Sequence, residues 1–221
     1  TLNRGAAHAL TYLPSGRDAV IERARLPIER VTSFNNSTDT SALTAALNSV
    51  SPSELEIFRL AHGIPAGAPV ALMLGALNSH KMIHFFIEAA REVLREGQWW
   101  LVVAGDGELA PSVASLAAQT GRVTLLGQAS PKTFAPAAKL ASVIVNPGRV
   151  GLVAVDALTM SLPVLTTSAA RHAPEVEYLE EGNTLITVEP TPENYASAWR
   201  QIPAHVLRPP ESPPSIEKAV D

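Results

Sequence analysis

The sequence predicts an α/β protein built on a doubly wound, mostly parallel, Rossmann-like sheet. Between residues 66 and 202, short runs of aliphatic and β-branched residues alternate with longer amphipathic segments. The short runs are apolar throughout and most end at Gly, Asn or Thr, which is typical of strands buried on both faces of a parallel sheet. We predict six such strands, at residues 70–74, 99–104, 123–126, 143–145, 164–165 and 185–188.

The segments between these strands carry helical periodicity. In residues 82–94 the apolar positions recur three and four residues apart and form one stripe, made by Ile83, Phe86, Ile87, Ala90, Val93 and Leu94. Residues 152–160 form a second helical run. Because strands alternate with helices, we expect helices on both faces of the sheet. Ligands bind such sheets at the carboxyl ends of the strands, which here means the loops at 75–81, 105–108, 127–130, 146–151 and 166–175.

Residues 1–65 are predicted as a different piece of structure. Two short apolar runs, at residues 9–13 and 31–34, predict strands, and a helix is expected between them near 17–25. The sequence Ser-Pro-Ser-Glu that starts at Ser51 is a capping box with Pro at the first helical position, so another helix is predicted to begin there.

Composition narrows the class of protein. The 221 residues are 46% hydrophobic and 17% charged, which is typical of a globular chain. Lys and Arg number 17 against 21 Asp and Glu, so the net charge of −4 offers no broad basic field for nucleic acid or anionic lipid. The absence of cysteine excludes disulfides, thiolate catalysis and Cys-ligated zinc. No apolar run approaches the ~18 residues of a membrane span, and we expect a cytoplasmic protein.

Both ends of the chain suggest further features. Five prolines between residues 203 and 214 predict an extended or disordered Pro-rich tail over 203–221. The chain starts at Thr1 rather than Met, so we expect a piece of a longer protein. The predicted domains are therefore 1–65, 66–202 and 203–221.

One loop has the composition of an anion site. The sequence Asn-Pro-Gly-Arg-Val-Gly at 146–151 follows a buried strand and precedes a helical run. A Gly-rich turn of this kind presents free backbone N–H groups and the positive end of a helix dipole to an anion. The alternative interpretation is an ordinary tight turn between a strand and a helix, and the pattern alone does not separate the two.

Two charged residues in or at the start of predicted helices stand out. Asp156 interrupts an apolar helical stretch, where a carboxylate is costly unless it is paired or faces a polar cleft. It is a candidate acceptor for the hydroxyls of a ribose, or else a solvated helix position. Lys81 opens the 82–94 helix, where a cation is locally unfavourable unless it faces a phosphate. An ordinary solvated lysine is the alternative.

Other patterns predict less. His80 and His84 have metal-ligand spacing, but no third ligand accompanies them, so no metal site is predicted. His172 lies in the strand-end loop at 166–175. The sequence from Gly105 to Ala110 matches a dinucleotide fingerprint, but no acidic residue occurs between Glu108 and Asp156 to hold the ribose. We therefore interpret the Gly105–Ala110 sequence as a tight turn and not as a dinucleotide site.

Several segments in a fixed order resemble one enzyme family over residues 69–200. They are VALMLGALNSHKMIHFFIEAA, LVVAGDGE, VTLLGQ, ASVIVNPGRVGLVAVDALTMSLPVLTT and HAPEVEYLEEGN. The chain resembles the C-terminal, donor-binding half of retaining GT-B glycosyltransferases, the large family that includes many bacterial mannosyl- and glucosyltransferases. The resemblance implies a nucleoside-diphosphate sugar as donor substrate, a saccharide or lipid-linked acceptor, no cofactor and no metal. It also allows a peripheral position at a membrane.

The resemblance implies roles for individual residues. Lys81 would neutralise the diphosphate of the sugar donor, next to Gly75 in the phosphate loop. Asp156 would bind the ribose hydroxyls, and Gln128 would lie near the nucleobase. The remaining positions, expected around the phosphates, are Gly148, Gly151 and Leu152 in one loop and Glu175 in another.

The chain departs from the family pattern at two places in the site. The family usually has two Glu residues, and here the second is Asp156 and the first is Gly148. A basic residue often found after the first-strand Gly is replaced by Ala76, and Arg149 is our candidate to supply the missing charge, with Lys81, in catalysis. Residues 1–65 are similar to a remnant of the acceptor-side domain with the interdomain segment. The remainder of that domain is not recognisable.

The sequence therefore favours the donor-binding half of a metal-independent, retaining glycosyltransferase. We expect the chain alone to bind nucleotide and to transfer sugar poorly. The alternatives are a non-catalytic module or dissected fragment that binds a nucleotide or nucleotide sugar, and a sugar-nucleotide epimerase on the same architecture.

Overall fold

The chain is organised around one parallel sheet. The structure, a computed structural model, describes residues 6–202. Six strands form the sheet in the order β5-β4-β3-β6-β7-β8, and every neighbouring pair is parallel. The strands are β3 (Val70–Leu74), β4 (Trp100–Ala104), β5 (Val123–Gly127), β6 (Ala141–Val145), β7 (Val164–Thr167) and β8 (Leu185–Val188). The strand order reverses direction between β3 and β6, and ligand sites in such sheets lie at this point.

Helices cover both faces of the sheet, as predicted. One face packs against α2 (Ser41–Ser49), α3 (Pro52–Ala61), α6 (Pro131–Leu140) and α7 (Val153–Met160). The other face packs against α4 (Ile83–Arg95), α5 (Ala110–Thr120) and α8 (Pro192–Gln201). Along β3, Leu72 belongs to the first core and Met73 to the second. This alternation explains why β3 is apolar at every position.

The six predicted strands are confirmed, with small shifts at their ends. β4 begins one residue later than predicted, β6 begins two residues earlier, and β7 continues to Thr167. The first helix of the sheet domain differs more. Lys81 does not open α4, because Ser79–Lys81 is a separate 3-10 turn and Met82 has a positive φ of 53°. Asn78 caps this turn by accepting a hydrogen bond from the Lys81 N–H at 3.3 Å.

Residues 6–65 divide between two packing units. β1 (Ala9–Thr11) and β2 (Val31–Ser33) form a two-stranded parallel sheet beside α1 (Pro14–Ala24), close to the prediction. The capping box at Ser51 is confirmed at the start of α3. The sequence did not predict α2, whose buried side chains share the core of the larger sheet with Ile64. The predicted Pro-rich tail lies outside the described residues.

Within residues 6–202, no helix combines the length and the apolar character that a membrane span requires.

Close backbone contacts hold the loops at the carboxyl edge of the sheet. A Cβ on Gly105 would lie 3.0 Å from the carbonyl carbon of Gly75, and one on Gly107 would lie 2.6 Å from the carbonyl oxygen of Leu77. A Cβ on Gly148 would lie 2.5 Å from the carbonyl carbon of Lys81. These contacts are tighter than any side chain allows, so glycine is required at all three positions.

We predict that Gly148→Ala destabilises the fold, because the added methyl would collide with the backbone of the turn that precedes α4. Overpacking of this kind typically costs about 1–3 kcal/mol. Gly151→Ala is the matched control in the same loop, because its Cβ would meet its nearest neighbours, Ala173 and Glu175, at ordinary contact distances of 3.5 and 4.0 Å. Urea denaturation of both variants measures the difference in unfolding free energy. Equal stabilities would contradict the described packing.

Candidate functional site

A cleft of about 550 Å³ opens at the carboxyl edge of the sheet. Its walls are the ends of β3, β4 and β5 with the loops that follow them, at residues 74–76, 104–107 and 128–129. Two helices complete it, α6 through Phe134 and α7 through Asp156. The cleft therefore lies where the rule for doubly wound sheets expects a ligand.

Three of the predicted site residues line this cleft together. They are Gly75 after β3, Gln128 after β5 and Asp156 in the first turn of α7. Burial raises the pKa of the Asp156 carboxyl above its ordinary value. The N-terminal position in the helix favours its ionised form, because the helix dipole is positive there. The Asp156 carboxylate thus faces a polar cleft and is not a solvated position on an outer helix face.

Lys81 is a half-buried cation beside this cleft. Its ammonium donates a hydrogen bond to the carbonyl oxygen of Arg149 at 2.9 Å, and a Cβ on Gly75 would lie 3.6 Å from its Cε. Burial, and secondarily the charge of Arg149, lower the pKa of Lys81 to about 8. No carboxylate in residues 6–202 lies within ion-pair distance of this ammonium.

Hydrogen bonds fix the 146–151 loop between the turn before α4 and the end of β7. The Arg149 N–H donates to the His80 carbonyl at 2.8 Å, and the Asn146 amide donates to the Arg149 carbonyl at 3.2 Å. The Thr167 hydroxyl donates to the carbonyl of Pro147 at 2.8 Å. The loop is thereby held rigidly enough to present its own backbone groups in a fixed geometry.

The start of α7 carries free hydrogen-bond donors. Among the described residues, no backbone or side-chain acceptor takes a hydrogen bond from the N–H groups of Gly151, Leu152 or Val153. Leu152 is also 43% exposed, so this end of the helix is open to solvent. Free N–H groups at a helix N-terminus favour an anion both by hydrogen bonding and by the dipole.

The remaining predicted residues lie outside the cleft, around the same loop. The Arg149 side chain is exposed, and only its backbone groups contact Lys81 and His80. Gly148 contributes backbone alone. Glu175 is 4% exposed, and one of its oxygens accepts a hydrogen bond from the side-chain amide of Asn36. Its other oxygen lies 4.0 Å from the position of a Cβ on Gly151, so Glu175 borders the 146–151 loop.

Sequence reasoning missed two features of this region. The Gly105–Gly107 turn lines the cleft, as expected for the strand-end loop at 105–108, but the sequence assigned no role to its individual residues. His172 accepts a hydrogen bond from the Val150 N–H at its Nδ1 atom, at 3.2 Å. Burial and the charge of Lys81 lower the pKa of His172. The only sequence signal for His172 is its place in a strand-end loop.

Metal ligands do not cluster here. Within the described part of the chain, no group of three or more His, Asp or Glu side chains could hold a metal ion. His80 and His84 therefore have no third protein ligand among residues 6–202.

The known proteins that resemble this chain in sequence are glycosyltransferases. The family described as glycosyl transferases group 1 matches residues 68–204. An α-D-kanosaminyltransferase of Streptomyces kanamyceticus is 31% identical in an alignment of 208 positions that covers 86% of this chain and 50% of that protein. An uncharacterised glycosyltransferase of Methanocaldococcus jannaschii is 28% identical in an alignment of 179 positions that covers 74% of this chain and 46% of that protein. The chain thus spans about half the length of the curated relatives it matches.

Solved structures share the fold at low identity. The crystal structure of Anabaena Alr3699/HepE in complex with UDP and glucose superposes with a TM-score of 0.63 at 20% identity, covering 90% of this chain and 54% of that one. The C-terminal domain of a glycosyl transferase group 1 family protein (LpcC) from Francisella tularensis gives a TM-score of 0.55 at 20% identity, covering 74% and 86%. These neighbours support the GT-B, Rossmann-like fold. With the family match over most of the sheet domain, the chain belongs to the glycosyl transferases group 1.

Proposed function

We propose that this chain binds a nucleoside-diphosphate sugar as the donor-binding, C-terminal half of a retaining glycosyltransferase. Family membership supports the reaction class, and the structural neighbour described with UDP and glucose supports the class of substrate. In this proposal residues 66–202 form the sugar-donor domain, and the acceptor, a saccharide or a lipid-linked sugar, binds largely outside it.

The nucleoside occupies the cleft. Gln128, with the Gly105–Gly107 turn and Phe134, offers a polar edge and an apolar wall to the base. The Asp156 carboxylate accepts hydrogen bonds from the ribose hydroxyls. Because Asp156 is partly desolvated, paired hydroxyl donors stabilise its ionised form and offset the cost of burial.

The diphosphate lies between Lys81 and the start of α7. One observation carries this assignment: a half-buried ammonium without a carboxylate partner in the described chain lies against the loop that leads into α7. A bound diphosphate would supply the missing negative charge to Lys81 and acceptors to the three free N–H groups. Charge-assisted hydrogen bonds of this kind are the strong ones.

The chemistry follows from the same groups. In glycosyl transfer the bond between the anomeric carbon and the diphosphate oxygen breaks, and a bond from the acceptor hydroxyl oxygen to that carbon forms. Negative charge grows on the departing diphosphate, which takes the hydroxyl proton. Lys81 and the N-terminal dipole of α7 stabilise that charge electrostatically. In this proposal they take the place of a metal ion, and no cofactor is used. Arg149 is exposed at the mouth of the site, where its guanidinium can approach the same phosphates.

A non-catalytic nucleotide-sugar binding module is the second candidate, and one observation favours it. Gly148 occupies the position at which the resemblance implies a carboxylate that binds the transferred sugar. The backbone of the turn before α4 fills the space that a Cβ on Gly148 would need, so no side chain can replace that carboxylate there. We expect the chain alone to transfer sugar poorly in either case. Without an acceptor-binding partner, the orientation contribution of about 7–11 kcal/mol is largely lost.

We predict that Lys81→Ala raises the dissociation constant of nucleoside diphosphates at least tenfold. The variant removes a charge-assisted contact worth about 1.5–3 kcal/mol. Lys139→Ala, on an exposed position of α6, is the matched control for loss of a lysine. Isothermal titration calorimetry with UDP, GDP, ADP and dTDP measures the effect. Unchanged affinity in Lys81→Ala would show that Lys81 does not contact the bound diphosphate.

We predict that nucleotide affinity falls as the pH rises through about 8. In the chain without nucleotide, the pKa of Lys81 is lowered to about 8. The diphosphate binds the charged form of this lysine. Affinity is therefore nearly constant between about pH 7, where the phosphate is fully ionised, and this pH, and it decreases by up to about tenfold per unit above it. Lys81→Arg stays charged and removes the decrease. A flat profile in the wild-type chain between about pH 7 and 9.5 would contradict the role of Lys81.

We predict that Asp156→Ala weakens ribonucleotide binding but changes 2′,3′-dideoxynucleotide binding little. The dideoxynucleotide lacks the two ribose hydroxyls that donate hydrogen bonds to Asp156. Removing the Asp156 carboxylate therefore costs this ligand no further hydrogen bond. Calorimetric titration of both ligands against both proteins forms a double-mutant cycle. Equal losses for the two ligands would indicate a structural role for Asp156.

A further inference from the structure

The orientation of His172 is set by a hydrogen bond from the neighbouring loop. The Val150 N–H donates to Nδ1 of His172, and the Ala173 N–H donates back to the Val150 carbonyl at 2.8 Å. This pair of bonds attaches the loop after β7 to the 146–151 loop. The His172 ring is therefore fixed beside the loop that leads into α7.

The same hydrogen bond decides which nitrogen carries the proton. A nitrogen that accepts a hydrogen bond has no hydrogen of its own, so the neutral ring is protonated at Nε2. Among the described residues, the Nε2 atom has no hydrogen-bond partner. The half-buried ring thus offers one directed N–H donor that the protein itself does not use.

The charges around His172 favour this neutral donor. Lys81 acts on the ring electrostatically and, after burial, is the second cause that lowers its pKa. The guanidinium of Arg149 belongs to the residue before Val150, and Glu175 lies three residues beyond His172. A neutral donor next to the Lys81 cation suits a ligand oxygen that carries negative charge.

We propose that His172 donates a hydrogen bond from Nε2 to the distal phosphate of the bound nucleoside diphosphate. The inference rests on the proposed function and adds a residue that selects diphosphates over monophosphates. Gly148 has no side chain, and the backbone around it leaves no room for one. His172 is hydrogen-bonded to the same loop at Val150, so its unused N–H donor lies beside the loop that leads into α7. His172 would then be a specificity-determining residue for the sugar donor.

Two substitutions separate this role from a merely structural one. His172→Asn places an amide oxygen near the position of Nδ1, so it keeps the acceptor for the Val150 N–H and loses the distal donor. His172→Gln places an amide N–H near the position of Nε2, so it keeps the distal donor and loses the acceptor. A structural role predicts that Asn preserves binding, whereas the proposed role predicts that Gln does.

Calorimetry of the 221-residue chain with UDP, GDP, ADP and dTDP and with the matching monophosphates tests the inference. We expect His172→Asn to lose about tenfold in affinity for the preferred diphosphate, as for a hydrogen bond to a charged group, with no loss for the monophosphate. We expect His172→Gln to retain most of the diphosphate affinity. Thermal unfolding of both variants checks that they fold.

Three results would overturn the inference. One is unchanged diphosphate binding in His172→Asn, and another is an equal loss for monophosphate and diphosphate. In both of these the proposed function would stand, because the wild-type chain still binds the diphosphate. If the wild-type chain binds no nucleotide, the proposed function fails and this inference fails with it.

Discussion

The candidate site depends on one close contact, between the 146–151 loop and the turn that precedes α4. Gly148 lies so near the backbone of Lys81 that no Cβ fits, and the Arg149 carbonyl accepts the hydrogen bond of the Lys81 ammonium. The two loops follow β3 and β6, which are neighbours at the point where the strand order reverses. A parallel sheet of this order brings the two loops together, and the glycine lets them touch.

This contact has an electrostatic consequence. It holds the Lys81 ammonium, partly desolvated, next to a second cation at Arg149 and without a carboxylate partner among residues 6–202. Desolvation and like-charge repulsion both disfavour the charged lysine in the free chain. A bound polyanion reverses both effects, since it supplies opposite charge and hydrogen-bond acceptors. A cation in these surroundings favours an anionic ligand over a neutral one, as the proposed function requires.

The sequence was informative where local pattern decides the structure. The apolar runs predicted all six strands of the large sheet, and the carboxyl-end rule named the loops that contain Gly75 and Gln128. Asp156, which lines the same cleft, was singled out because it interrupts an apolar helical stretch. Sequence reasoning failed where tertiary contacts decide. Met82 adopts a positive φ, and α4 begins at the next residue, Ile83. The turn before α4 takes this shape because it packs against the 146–151 loop, more than 60 residues further along the chain. The hydrogen bond between His172 and Val150 leaves no periodic signal either.

The central claim is that a nucleoside diphosphate binds between Lys81 and the free N–H groups at the start of α7. Amide NMR of the ¹⁵N-labelled chain, titrated with UDP, GDP, ADP and dTDP, tests this claim directly because it reports on those N–H groups themselves. The account predicts that the preferred diphosphate produces its largest, saturable shifts at Gly151, Leu152 and Val153. Saturable binding that leaves these three amides unshifted, or no binding by any of the four nucleotides, would contradict it.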